Sequence, residues 1–321
     1  MIDTTNREGC TLAIRTSQDT AVAAGFLSPF MLLFGTFLIF PIFYSFYLSF
    51  FGSPTDYSLS NLEFVGLANY KRIMTDFQFW WSLGVTALYG VISIPLGICA
   101  SLALALLLDN KLFGKSFFRS AFFLPNVLDM LVVGVIWTLI YAPKFGALAQ
   151  ITTWLMGENN FFNTTGLLGS PYTALLAVVI AMVLKGAGFG MVLFLAALQN
   201  IPEAVYEAAD IDGASEWQKF TKITVPLLRP IIIFMVITGV IGSLNAFTEI
   251  YAMTSGGPQV VMGGETVGST SVAGYYLFKQ FDSGNYGYAA AISYMLLIIT
   301  LGITWLQQRI ATRNDAMEAK K

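Results

Sequence analysis

An ionisable side chain inside an apolar helix costs about 2.5–3.5 kcal/mol on insertion scales, so each one needs a reason. Three interrupt long apolar stretches of this chain: Asp129, Lys185 and Glu249. Asn126 lies just before Asp129, and Asn245 and Tyr251 flank Glu249. Two chemistries account for such a set. These residues could line a polar cavity in which amides and carboxylates hydrogen-bond a solute. Alternatively, Lys185 pairs with Asp129 or Glu249 to hold helices together, or a charge near the end of an apolar stretch reaches out to water. Catalysis fits poorly. The chain has no His, and its two cysteines, Cys10 and Cys99, are far apart. The usual general base and the usual zinc and haem ligands are therefore missing, and no catalytic residue or metal site is expected. Nor is there a GxxxxGK[ST] phosphate cradle, so the chain is not expected to bind ATP itself.

A second constellation is local. Asn200–Pro230 is the most charged stretch of a very apolar sequence and reads as two short helices joined at a glycine. Asn200 is a candidate cap for the first helix, and Pro202 suits its first turn, where a missing N–H costs nothing. Glu203 lies in that turn, where an acid favours the positive end of a helix, and Glu207 and Asp210 follow. Gly213 is a natural left-handed terminator. Ser215 and Gln218 have capping-box spacing for a second helix, which predicts Trp217, Phe220 and Thr224 on one face. Lys219 and Lys222 are expected on the other side, and Pro226 is expected to stop the helix.

These residues also carry a family resemblance. Glu207-Ala208-Ala209, then Gly213, Ile223 and Val225-Pro226, resembles the EAA loop of binding-protein-dependent ABC importer permeases, with Val225 where that pattern usually has Leu. Further segments resemble the carbohydrate-importer branch: Phe122–Pro125, Gly188 with Leu198–Pro202, Phe247 with Thr254–Pro258, and Gly287–Ala291. The similarity covers roughly residues 20–310. It implies a coupling role for Glu207, Ala208, Ala209, Asp210, Gly213, Ile223 and Pro226, docked in a cleft of a cytoplasmic ATPase. It further implies a dimer of ATPase subunits holding ATP and Mg, a second permease subunit of a different sequence, and an external solute-binding protein. Within that reading, Asn126 and Asn245 would hydrogen-bond sugar hydroxyls, and Tyr251 would stack on a sugar ring.

The elements that must position these groups follow from composition. Of 321 residues, 56% are hydrophobic and 11% charged, against about 25% charged in ordinary soluble domains. That composition belongs to a membrane protein, and a net charge of −2 implies nothing about nucleic acid. Six apolar stretches reach the ~20 residues a helix needs to cross a bilayer. They fall at about Ala21–Phe51, Leu83–Leu108, Ser120–Tyr141, Pro171–Leu198, Leu227–Met253 and Gly287–Gln308. The first is too long for a signal peptide and reads as a retained span bent at Pro29 and Pro41. Unpaired backbone is excluded from lipid, which makes these helices, and no ten-residue alternation suggests a barrel. Between spans, Asn61–Tyr70 leads into a short amphipathic stretch, 143–170 has its own short helix around Leu148–Met156, and Thr254–Phe281 is glycine-rich.

Orientation follows from the bases. With the N-terminus inside, Arg7, Arg15, Lys111, Lys115, Arg119, Lys219, Lys222, Arg229, Arg309, Arg313, Lys320 and Lys321 face the cytoplasm. Only Lys71, Arg72, Lys144 and Lys279 lie outside, with Lys185 in a span. The positive-inside rule therefore favours N-in, C-in, which independently puts the Glu207–Pro226 segment on the side where ATP is.

The expectation is an all-α, polytopic cell-membrane protein with six transmembrane helices and the architecture of a type I ABC importer permease. Residues 1–20 form a cytoplasmic leader, 21–310 the permease domain with its coupling loop at 200–230, and 311–321 a cytoplasmic tail. Its function would be to move a sugar or oligosaccharide, or another polar solute such as a glycerol phosphate, from an external binding protein into the cytoplasm. A secondary transporter working without an ATPase is the rival, but it would favour inverted repeats and would leave the charged loop idle. A membrane enzyme would need a clustered nucleophile, base or metal set, and a purely structural subunit leaves the polarity of Asn126, Lys185 and Glu249 unexplained.

Overall fold

The computed structural model describes residues 17–52, 62–109 and 114–318. Most of the 1–20 leader, together with Lys111, Lys320 and Lys321, lies outside the described residues. The described residues are mostly helical, with two short antiparallel strand pairs among them. In order it runs α1 (Ser17–Phe34), α2 (Phe40–Leu48), β1 (Phe51–Gly52), β2 (Glu63–Phe64), α3 (Ala68–Thr75), α4 (Phe77–Asp109), α5 (Lys115–Val127), α6 (Met130–Tyr141), α7 (Ala147–Met156) and α8 (Phe161–Thr164). Then come α9 (Ala174–Gln199), α10 (Glu203–Ile211), α11 (Glu216–Lys219), α12 (Val225–Leu227), α13 (Arg229–Leu244), α14 (Thr248–Met253), β3 (Gln259–Met262), β4 (Glu265–Gly268), α15 (Ala273–Asp282) and α16 (Tyr286–Glu318).

Among the described residues four helices are long and apolar enough to cross a membrane, and six spans result if each of two bent pairs counts as one. No residue in the most apolar window of the first span, Val22–Leu48, is buried, whereas over half of that of α9 is. α9 is thus the central post, and α4, α5 and α13 pack around it. Close approach is built into its glycines. A β-carbon at Gly188 would run into the Phe122 carbonyl of α5, and one at Gly190 into the Ser101 hydroxyl of α4. Small residues serve this purpose between membrane helices, where lipid leaves no hydrophobic force to drive association. One core cluster joins Tyr89, Val178, Val179, Ile250 and Val272; a second joins Leu108, Met191, Phe194 and Leu228.

The spans are less straight than their apolar patterns predict. The third, expected as one helix over 120–141, is two helices meeting at 102°. Leu128 is extended, and the Asp129 carboxylate accepts the Leu131 amide at 2.9 Å, so it caps α6 rather than interrupting a continuous span. The fifth, expected over 227–253, breaks after Leu244 and resumes as α14 at Thr248. The sixth runs past its expected end, its backbone helical to Glu318. Two π-helical turns, Gly35–Ile39 and Phe220–Thr224, each end two residues before a proline, Pro41 and Pro226. A proline has no N–H and its ring crowds the carbonyl four residues back, and a widened turn relieves both faults without stopping the helix.

Candidate functional site

The stretch after α9 folds into a two-helix knob held by its own local bonds. Asn200, expected to open α10, instead closes α9, where its side-chain amide donates to the Ala196 carbonyl at 2.9 Å; Pro202 is the residue before α10. At the other end of α10, Gly213 has φ +73°, the Gly213 amide donates to Asp210 O at 3.1 Å, and Ala214 donates to Ala209 O at 2.9 Å. These two bonds satisfy carbonyls that would otherwise end the helix unpaired. No atom lies within 4 Å of a β-carbon built on Gly213, so backbone handedness alone calls for glycine there. Ser215 and Gln218 then form the full reciprocal capping box. Pro226 does not stop the second helix; the π-turn carries it on to Leu227, and the chain turns 61° into α13.

Lys219 departs most from expectation. Rather than standing on an outer polar side, it is 9% exposed, and its ammonium bridges Asp210 of α10 and Glu216 at 2.7 Å. The Tyr206 and Thr224 hydroxyls meet at 3.0 Å and make a second tie between the halves. Ala209 is buried against this joint, while Glu207, Ala208, Asp210 and Pro226 are exposed and Ile223 is half-buried. Ile211 and Trp217 stand out at 87% and 71% exposure. A charged knob that shows a large aliphatic and an indole to its surroundings has the make-up of a docking surface.

The second site is a cavity of about 470 Å³ among α4, α5, α6, α9, α13 and α14. Its polar lining is Tyr89, Ser93, Ser101, Asn126, Thr238, Ser243 and Glu249. Glu249 is 6% exposed, and the Tyr89 hydroxyl donates to its Oε1 at 3.1 Å. Of the six candidates, the structure brings together Asn126 and Glu249. Asp129 is spent on its cap, and Asn245 closes α13 by donating to Ile241 O at 2.8 Å. Tyr251, half-exposed, packs with Phe247 and Phe278. Lys185 is half-buried, and no salt bridge joins it to Asp129 or Glu249, so the pairing considered for it is not formed. The residues missed by sequence reasoning share one signal. Ser93, Gly97 and Ser101 on α4, and Thr238, Gly239, Gly242 and Ser243 on α13, are small or hydroxylated side chains at helical spacing.

A third group ties α4 to α15 and α16. Asp76 Oδ1 accepts the amides of Gln78 and Phe79 at 3.0 and 3.3 Å, and its Oδ2 accepts the hydroxyls of Tyr276 and Tyr288. The Arg72 guanidinium lies 4.0 Å over the Tyr288 ring. Burial, then the Asp76 carboxylate, pushes the Tyr276 phenol well above its ordinary value. This group is a structural clamp: four donors fill the Asp76 carboxylate, about as many as it can accept.

Comparisons with known proteins agree with these features. Residues 115–315 match the family model described as binding-protein-dependent transport system inner membrane component. The trehalose/maltose transport system permease protein MalF of Thermococcus litoralis is 33% identical over 276 residues, covering 86% of this chain and 88% of that protein. The lactose transport system permease protein LacF of Rhizobium radiobacter is 32% identical over 88% of this chain and 91% of its own length. Among solved structures, a bacterial ABC transporter involved in the import of the acidic polysaccharide alginate superposes with a TM-score of 0.74 at 21% identity, over 92% of this chain and 96% of that one. A second structure, the alginate transporter in complex with an alginate pentasaccharide-bound periplasmic protein, gives 0.75 at 19% identity. At such identities these two show a shared fold.

Proposed function

The chain belongs to the family of binding-protein-dependent transport system inner membrane components, and from that premise we propose that it is the pore-forming permease of an ATP-driven importer for a sugar or oligosaccharide. Six spans, with both termini in the cytoplasm, place the Glu203–Leu227 knob on the side where ATP is. Separate ATPase subunits hold ATP and Mg and grip the knob, and a second permease chain completes the pore in the cell membrane. An external binding protein delivers the cargo. Relatives named for trehalose/maltose and lactose transport support the substrate class.

The observation that carries the reading is the knob itself: capped at both internal ends, pinned across the joint by Lys219, and exposing Ile211 and Trp217. A rigid element transmits motion. When the ATPases close, two such knobs are pushed together and the cavity switches its open side, a rigid-body change between two states. ATP drives this only by binding the closed state better than the open one. The experiment is reconstitution of the purified complex in proteoliposomes with its binding protein. ATP-dependent uptake of maltose or lactose is expected, together with impermeant-thiol labelling of Trp217→Cys from the ATP side only. A complex that carries no ATP hydrolase, or a knob labelled from the opposite face, overturns the reading.

A further inference from the structure

The cavity among α4, α5, α6, α9, α13 and α14 has a chemical bias that its lining makes explicit. Glu249 contributes its one formal charge; no Lys or Arg lines it. Two of its hydroxyls have already committed their hydrogens within their own helices. Thr238 donates to Phe234 O at 2.9 Å and Ser243 to Val240 O at 2.9 Å, so both present oxygen lone pairs inward or outward but no free donor. A carboxylate offers about four acceptor positions, and Tyr89 fills one of those on Glu249. On the donor side stand the Asn126 amide and the hydroxyls of Ser93 and Ser101. The balance is tilted towards acceptors and towards negative charge, in a setting where low dielectric strengthens every unscreened interaction.

From this balance we infer that Glu249 selects cargo by charge: the cavity takes neutral, hydroxyl-rich molecules, tolerates a cationic amino sugar, and rejects phosphates and carboxylates. A sugar brings several O–H donors to a carboxylate that is 94% buried and short of partners. A glycerol phosphate brings two hydroxyls, but its phosphate offers the same group only acceptors and like charge. The inference rests on the importer reading and narrows it, since it removes glycerol phosphates from the possible cargo.

The test reads the cavity directly and does not require the cargo to be known. In the assembled complex with Cys10→Ser and Cys99→Ser, Ser93→Cys places one thiol in the lining. Its rates with a cationic and an anionic methanethiosulfonate are measured, each normalised to the rate with a free thiol in solution. The cationic reagent is expected to be favoured by about tenfold, and Glu249→Gln to bring the ratio to within about twofold of unity. Tyr89→Phe, which removes the hydrogen bond and keeps the charge, is expected to preserve the preference. It also stands in if the Gln variant does not assemble, because a preference lost in Tyr89→Phe overturns the inference. An even ratio in the unsubstituted cavity overturns it, as does uptake of glycerol 3-phosphate by the wild-type complex. A strong cation preference in a complex without ATP-driven uptake would sink the importer reading and leave the charge selection standing.

Discussion

The knob and the cavity are built by opposite means. The bonds that shape the knob all lie within it: the capping box spans three residues, the glycine terminator five, the Lys219 bridges reach back nine and three, and the Tyr206–Thr224 tie spans eighteen. The cavity draws its walls from six helices, and its defining contact, Tyr89 to Glu249, spans 160 residues. The knob is therefore a preformed part, and its neighbours can change without reshaping it. The cavity exists only when the helices are packed, so it can change when they move. A transporter needs both: a stiff handle for the motor and a deformable chamber for the cargo.

Four substitutions would break or sharpen this contrast. The largest effect is expected from Gly188→Leu, which drives a side chain into the Phe122 carbonyl. Overpacking of that kind costs about 1–3 kcal/mol or more. The expected outcome is loss of monodisperse permease on size exclusion in detergent. Next is Gly213→Asp. The site has room for a side chain, so the cost is only that of a left-handed non-glycine residue, about 1–2 kcal/mol. The permease should assemble in the membrane but dock poorly, with ATP-driven uptake lowered about tenfold, since 1.4 kcal/mol is a factor of ten. Normal coupled uptake by this variant would argue against the docking role.

Tyr89→Phe comes third. It removes one hydrogen bond to a buried carboxylate, worth about 1.5–3 kcal/mol in general, but a small adjustment of α14 can return part of that. The measurement is thermal stability of the complex, expected to fall by a few degrees with no change in binding of the ATPase. Ser215→Ala is the smallest. Loss of the cap costs about 1 kcal/mol and is expected to weaken ATPase association slightly while leaving cavity accessibility untouched. Should Ser215→Ala alter the cavity, or Tyr89→Phe alter ATPase binding without uptake, the separation of the two regions would be wrong.

Much of the fold was legible because membrane helices announce themselves. Six apolar stretches of sufficient length, glycine and proline punctuation, and the Ser215/Gln218 spacing are properties of neighbouring residues, and a reader of the chain meets them in order. The short helix expected around Leu148–Met156 stands at α7 for the same reason. Polar residues inside spans were harder to place. Asp129, Asn126, Asn245 and Glu249 look alike in a sequence, each a polar group in a greasy run. Two of them, Asp129 and Asn245, finish helix ends, and two face the cavity. The difference lies in where the backbone breaks. Leu128 and Asn245–Phe247 break because a capping side chain and packing against other helices make the bend better than a straight run, and hydropathy is blind to both.

The sequence by itself determined the membrane character, the number of apolar stretches and the two-helix knob with its left-handed hinge, because each rests on composition or on partners a few residues apart. Tertiary structure alone decided that Lys219 is buried as a pin, that the third and fifth spans bend, and that Glu249 meets Tyr89 at the wall of a chamber. Tyr89 reaches Glu249 only because helices far apart in the chain pack together, whereas Lys219 and Asp129 take partners within nine residues, and what the sequence leaves open there is which of several nearby groups each one uses.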